Sequence, residues 1–418
     1  MRLLHLLACT IWLAFAGANE LYARQVTTDS IPTETKTSAD EVTVSLLTCS
    51  PGPLIYELYG HTALRVREGK QGAQSDWVFN YGTFSFKQPH FIWRFMLGQT
   101  DYELSVLPYS LFYNAYMNEG RAIYEQRLNL TQTEAHKLVN ALSENLQPEN
   151  AQYRYNFFYD NCVTRAVKII ESSVSGRVVW PQQSKDSVRT LRDIVHEFSN
   201  RSPWDRLGQD LLVGAEADKP ATVEEQMFAP LYASRFVGGA QIVSADGTQR
   251  PLAQPPVTLL PAQSSPSTHV PNPLWVFGTL LALTLALTLY EGLRKRYWWQ
   301  YDALLLIAQG VAGCIVAFLF FFSEHPAVGS NWLVILFNPL PLLYFPWVMK
   351  QAVNGRICRA IYLQAFLLVC ALVIGICGLQ SFPPEVYLII LILGLRVFAH
   401  LTYSRHALKD AHTAPAQS

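Results

Sequence analysis

Tyr155-Asn156-Phe157-Phe158-Tyr159-Asp160-Asn161-Cys162-Val163-Thr164-Arg165 is the stretch that decides how this chain is read. Asp160 and Asn161 are residue types that end an extended run and cap a helix, and the apolar positions Val163, Ala166, Val167, Ile169 and Ile170 recur at helical spacing behind them. Cys162 therefore falls in the first turn of a helix. There the helix dipole and the free backbone N–H groups lower a thiol's pKa and offer a place for an oxyanion. An inert, buried cysteine fits the same local pattern, so the stretch alone leaves two readings.

A catalytic thiol needs a base and a group to orient that base. Upstream, Val42, Val44 and Leu46 alternate with Thr43 and Ser45 as a half-buried strand that ends in the turn Thr48-Cys49-Ser50-Pro51-Gly52. A second strand starts at Gly60-His61, with Thr62, Leu64 and Val66 on one face and His61, Ala63 and Arg65 on the other. A polar turn over 68–76 leads to a third strand, Trp77 to Tyr81. If Trp77, Phe79 and Tyr81 pack with Leu64 and Val66, then His61 shares its face with Asn80, and the turn length sets position 80 or 82 across from it. An amide there can fix the histidine's tautomer; a solvated strand-end histidine is the inert alternative. Cys49 stays open as nucleophile, disulfide partner or core residue. It precedes a Ser-Pro-Gly turn with no helix behind it, which favours Cys162 as the nucleophile.

Thr131 and Glu134 form a capping box before a packing helix with Ala135, Leu138, Val139 and Leu142. Arg165, one turn beyond Cys162, is within reach of Asp160. A helical pattern from Ser184 to Leu212 and an exposed polar segment from Asp210 to Pro230 follow, with no chemistry of their own.

The 32 Lys and Arg balance the 32 Asp and Glu, and no long basic cluster occurs, which argues against nucleic acid as a partner. Hydropathy divides the chain. Arg2, the apolar run Leu3 to Phe15 and Ala16-Gly17-Ala18 read as a secretory signal over 1–18. A flexible leader follows over 19–40, then an exported domain over 41–239 and a Pro-rich linker over 240–273. Five apolar spans fill 274–403: Leu274 to Tyr290, Ala303 to Phe322, Trp332 to Val348, Ala360 to Leu379 and Val386 to Tyr403. Lys and Arg follow the first, third and fifth spans, whereas the loops 323–331 and 380–385 hold none. This asymmetry predicts a multi-pass membrane protein with its N-terminal domain outside and its tail, 404–418, in the cytoplasm. His325, Asn331 and Asn338 make the outer loop 323–331 and the span after it unusually polar, as a membrane-surface site or a plain interfacial loop. Arg396 is placed to snorkel to the inner face. No metal or cofactor is called for.

Taken together, Leu47-Thr48-Cys49-Ser50-Pro51-Gly52 with Gly60-His61, Phe79-Asn80-Tyr81-Gly82, the stretch Asn156 to Arg165, and His325-Pro326 with Asn338-Pro339-Leu340 resemble the Lnb-type bacterial lipoprotein N-acyltransferases. The resemblance implies an α+β fold, in which a circularly permuted papain-like periplasmic domain with an antiparallel sheet precedes an all-α transmembrane domain of five helices in the inner membrane. It implies acyl transfer from the diacylglyceryl group of a lipoprotein to the amine of its first cysteine. Cys162 would attack, His61 would shuttle the proton, Asn80 would orient His61, and the N–H of Cys162 with the Asn161 side chain would hold the oxyanion. Asp160, Arg165 and Tyr81 would support that constellation, and membrane lipid and lipoprotein would be the partners. A papain-like hydrolase of envelope lipids or peptides, and a non-enzymatic envelope binding protein, are the other classes compatible with these residues.

Overall fold

The computed structural model describes residues 41–69, 75–84, 89–183, 188–263 and 270–413. The expected signal (1–18) and leader (19–40) lie outside the described residues, as do parts of the 68–76 turn, the linker and the tail. The described residues form two compact units, one of 41–189 with 220–263 and one of 190–219 with 270–413.

In the first unit the alternating segments become β1 (Val42–Cys49), β2 (His61–Glu68), β3 (Ser75–Thr83), β4 (Asp101–Pro108), β5 (Ile123–Arg127) and β6 (Gln152–Arg154). β7 (Arg177–Val179), β8 (Gln241–Val243) and β9 (Gln249–Pro251) make a separate small sheet, and β10 (Val257–Leu260) returns to the main one. The main sheet is antiparallel throughout, in the order β10-β5-β1-β2-β3-β4-β6. The span 240–260 of the expected linker is thus folded. Its prolines sit beside short strands that each need only a few ladder bonds.

Strand alternation gives the sheet two apolar faces. Val44, Leu46, Leu64, Val66, Phe79 and Tyr81 pack with the helices Gln132–Asn145 and Cys162–Ser173. Leu47, Cys49, Ala63, Val78 and Ile123 pack with Phe112 and Tyr116 of the helix Tyr109–Glu119. Number these helices α1 (Tyr109–Glu119), α2 (Gln132–Asn145) and α3 (Cys162–Ser173). The Thr131–Glu134 capping box starts α2 as its sequence predicts, with Thr131 N–H donating to Glu134 Oε2 at 2.8 Å.

The second unit contains α4 (Leu191–Ser199) and α5 (Pro203–Leu212), then α6 (Pro273–Arg294), α7 (Trp299–Phe322), α8 (Leu340–Val353), α9 (Ala360–Ile376) and α10 (Pro384–Thr413). Among the described residues three segments are long and apolar enough to cross a bilayer: Pro273–Arg294, Trp299–Phe322 and Pro384–Arg405. The expected span Trp332 to Val348 is not one helix. A single 3-10 turn, Trp332–Val334, and the irregular Asn338-Pro339 precede α8. Asn338 offers its side chain to this break, donating to Ile335 O at 2.8 Å and accepting from Leu340 N–H at 3.1 Å. Gly313 of α7 admits the broken backbone: a Cβ there would stand 2.2 Å from Asn338 C. Irregular backbone is tolerated at membrane depth when protein covers it.

Two further expectations change. Residues 190–219 belong with the membrane helices, and Asp210 is buried between Arg192 and His196 rather than exposed. Arg396 does not snorkel. It is 4 % exposed and grips Glu291 through Nη1 (2.6 Å) and Nη2 (3.0 Å), with Asp302 on its Nε. The triad ties α6, α7 and α10 together. Breaking a buried pair from one side strands the remaining charges, so Arg396→Met should cost about 3–5 kcal/mol. We expect a lower unfolding temperature for the detergent-solubilised protein, partly restored when Glu291→Gln and Asp302→Asn are added.

Candidate functional site

α3 begins where its sequence says it should, because Asn161 caps it. Its Oδ1 accepts from Val163 N–H (2.8 Å) and Thr164 N–H (3.0 Å), and Thr164 Oγ1 accepts from Asn161 N–H at 2.8 Å. Its Nδ2 donates to Phe157 O and Phe228 O, both at 2.9 Å. Both amide hydrogens are therefore committed. The side chain builds the loop and has no amide hydrogen free to bind an oxyanion.

Cys162 is half-buried at the first position of α3. The backbone N–H groups of Thr62, Cys162 and Val163 favour its thiolate form. Thr62 is the residue after His61, so the thiol lies against the start of β2. Burial nevertheless dominates and pushes the thiol up to about 11, the reverse of the lowering that a helix start alone would produce. Gly82 borders the thiol. Its φ is +91°, and a Cβ there would stand 3.4 Å from Cys162 Cβ.

His61 Nε2 lies 3.1 Å from Asn80 Oδ1, while Asn80 Nδ2 donates to Val78 O at 3.4 Å. That orientation of the amide makes Nε2 the protonated nitrogen and leaves Nδ1 as the base. The β2–β3 register, Leu64 with Phe79 and Val66 with Trp77, continued by three residues sets His61 across from Gly82 with Asn80 on the diagonal. Burial lowers His61 to about 4, against the raising effect of Asn80. Imidazole and thiol are both neutral at rest.

The remaining candidates have defined places. Asp160 and Arg165 form a two-pronged ion pair, 2.8 Å on each side, and the Arg165 guanidinium lies 3.7 Å above the Tyr153 ring. Tyr81 is a core residue whose hydroxyl accepts from Asn145 Nδ2 at 2.7 Å. Cys49 is fully buried opposite His61, a free thiol raised by burial to about 12, as Cys162 is also free. In the second unit Asn331 is an anchor. Its Nδ2 donates to Leu211 O (2.8 Å) and Leu212 O (3.2 Å), and its Oδ1 accepts from Gln380 Nε2 (3.0 Å). His325 is half-buried in the same loop, and Asn338 serves the helix break described above. Among the described residues no three His, Cys, Asp or Glu side chains are grouped to hold a metal ion. Reasoning from sequence missed Thr62 and Tyr153, the latter signalled only by the alternation Tyr153, Tyr155.

The arrangement supports a thiol that reacts by proton transfer to a neutral imidazole during attack, not as a standing ion pair. At pH 7 a thiol near 11 is ionised to roughly one part in 10⁴. Because the pKa is raised, the thiolate fraction grows as pH rises. The rate of Cys162 alkylation by iodoacetamide should climb about tenfold per pH unit from 7 to 10, followed by mass spectrometry of the labelled peptide. A plateau beginning below pH 7 would reveal an ion pair and contradict this.

Residues 31–196 match the family described as the Lnb N-terminal periplasmic domain, and residues 264–407 match the Lnb transmembrane domain. No curated protein and no solved structure matches the chain.

Proposed function

We propose that this chain, which belongs to the Lnb family, is a thiol-dependent acyltransferase of the bacterial inner membrane. It moves an acyl chain from the diacylglyceryl group of a lipoprotein to the α-amine of that lipoprotein's first cysteine. The observation that carries the reading is Cys162 at a capped helix start, with the Thr62 N–H favouring its thiolate form and a neutral, amide-oriented His61 at the neighbouring residue. The order of the His61 strand before the Cys162 helix is that of a permuted papain-like enzyme.

In the first half-reaction His61 Nδ1 takes the thiol proton as Sγ adds to the ester carbonyl carbon. The carbonyl electrons move to oxygen, where the N–H of Cys162 stabilises them. Collapse breaks the ester C–O bond, and the glyceryl oxygen leaves with the proton from His61. In the second half the amine attacks the thioester, its proton passes to His61, and the thiol departs reprotonated as the amide forms. An apolar surrounding limits competing hydrolysis. The Lys and Arg residues around 294–296, 350–359 and 405–409 support a tail in the cytoplasm and a thiol domain in the periplasm.

The test uses the full chain in detergent with a diacylglyceryl lipoprotein and weighs the product. Cys162→Ala and His61→Ala should each lower turnover by at least about 10³-fold, and Asn80→Ala by about 10²-fold. Full turnover by Cys162→Ala refutes the proposal. Free fatty acid in place of an N-acylated product identifies a hydrolase instead.

A further inference from the structure

Asn161 cannot supply a second oxyanion donor, because both of its amide hydrogens are spent on Phe157 O and Phe228 O. One donor, the N–H of Cys162, is a thin provision for charge developing on a carbonyl oxygen. The first unit contains an uncommitted donor at the right place. Tyr153 is 6 % exposed, and among the described residues its hydroxyl has no hydrogen-bond partner. A buried hydroxyl left unpaired is destabilising, and such orphans call for an explanation.

The position of that hydroxyl is informative. The point that a Gly82 Cβ would occupy lies 3.4 Å from Cys162 Cβ and 3.9 Å from Tyr153 Oη. The hydroxyl and the thiol-bearing carbon therefore border the same point beside Gly82, which a side chain at residue 82 would occupy. The ring is held from two sides. Arg165 stacks over it at 3.7 Å while tied to Asp160, and Tyr81 meets it edge-on with ring centroids 6.3 Å apart. Backbone pairing of Tyr153 with Tyr102 fixes the strand beneath. A hydroxyl held this firmly, and given no partner within the fold, is preorganised for something that arrives from outside.

We infer that Tyr153 is a catalytic residue whose O–H donates a hydrogen bond to the substrate carbonyl oxygen, completing the oxyanion site with the N–H of Cys162. The inference rests on the acyl-transfer reading above. No proton is transferred in this role. As Sγ adds to the carbonyl carbon, the C=O electron pair moves onto oxygen, and the Tyr153 hydrogen bond strengthens with that charge. The same contact acts again when the amine adds to the thioester. Burial holds the phenol well above its ordinary pKa, so it remains a donor across the working pH range. Gly82 then serves twice, through its φ of +91° and by leaving the carbonyl oxygen room beside the hydroxyl. Asp160 and Arg165 become positioning residues that act through the Tyr153 ring.

The test is Tyr153→Phe in the full-length protein, which removes one oxygen and no internal hydrogen bond. We expect kcat for N-acylation to fall about 10²–10³-fold with KM changed less than about threefold. The unfolding temperature should hold or rise, since an unpaired buried hydroxyl is lost. Alkylation of Cys162 by iodoacetamide, which develops no oxyanion, should proceed at the unaltered rate. A Tyr153→Phe variant with unchanged kcat, measured beside an inactive Cys162→Ala, overturns this inference alone. An active Cys162→Ala overturns the acyl-transfer reading itself. A fall in kcat accompanied by an equal fall in alkylation or by a lower unfolding temperature assigns Tyr153 a packing role and also overturns it.

Discussion

The Asn161 carboxamide is the contact on which the thiol site depends. Its oxygen takes two N–H groups at the start of α3, and its nitrogen reaches back to Phe157 O and across to Phe228 O. One side chain thereby joins the loop before the cysteine, the helix after it and a segment more than sixty residues away. Every hydrogen-bonding position of a buried amide is filled, the condition under which such a group can be buried at low cost. The same saturation excludes Asn161 from touching substrate. The orientation of Cys162 is thus set by a residue that does no chemistry.

Around that cap, burial outweighs the helix start. Three backbone N–H groups favour a thiolate at Cys162, yet removal of water raises the thiol to about 11 and lowers His61 to about 4. A site with both partners neutral pays no desolvation of standing charges and moves its proton only with bond formation. Asn80 supplies the remaining constraint by choosing which imidazole nitrogen carries the hydrogen.

In the membrane unit, polar side chains hold backbone and charge together. Asn331 Nδ2 donates to Leu211 O and Leu212 O where α5 ends, and Gln380 Nε2 joins Arg192 Nη2 on Val213 O. Arg396 neutralises two carboxylates from two other helices. Each arrangement gives a buried polar group its partners, as a low-dielectric surrounding requires.

Much of this was legible in the residues. Period-two alternation marked β1, β2 and β3, the Thr131–Glu134 box marked the start of α2, and Asp160-Asn161 before an apolar stripe put Cys162 at a helix start. The shared face of His61 and Asn80 followed from strand parity together with the packing of Trp77, Phe79 and Tyr81 on Leu64 and Val66. Other features depend on contacts that no local pattern encodes. The register that sets His61 across from Gly82, the folding of 240–260 into sheets, the transfer of 190–219 to the membrane unit and the pairing of Arg396 all arise from residues far apart in the chain. The sequence by itself determined which groups are present and which way each strand and helix presents them. Only the tertiary structure decided that Asn161 is fully committed, that the thiol is neutral and that the Tyr153 hydroxyl stands unpaired beside it, since burial and hydrogen-bond saturation are properties of the packed chain.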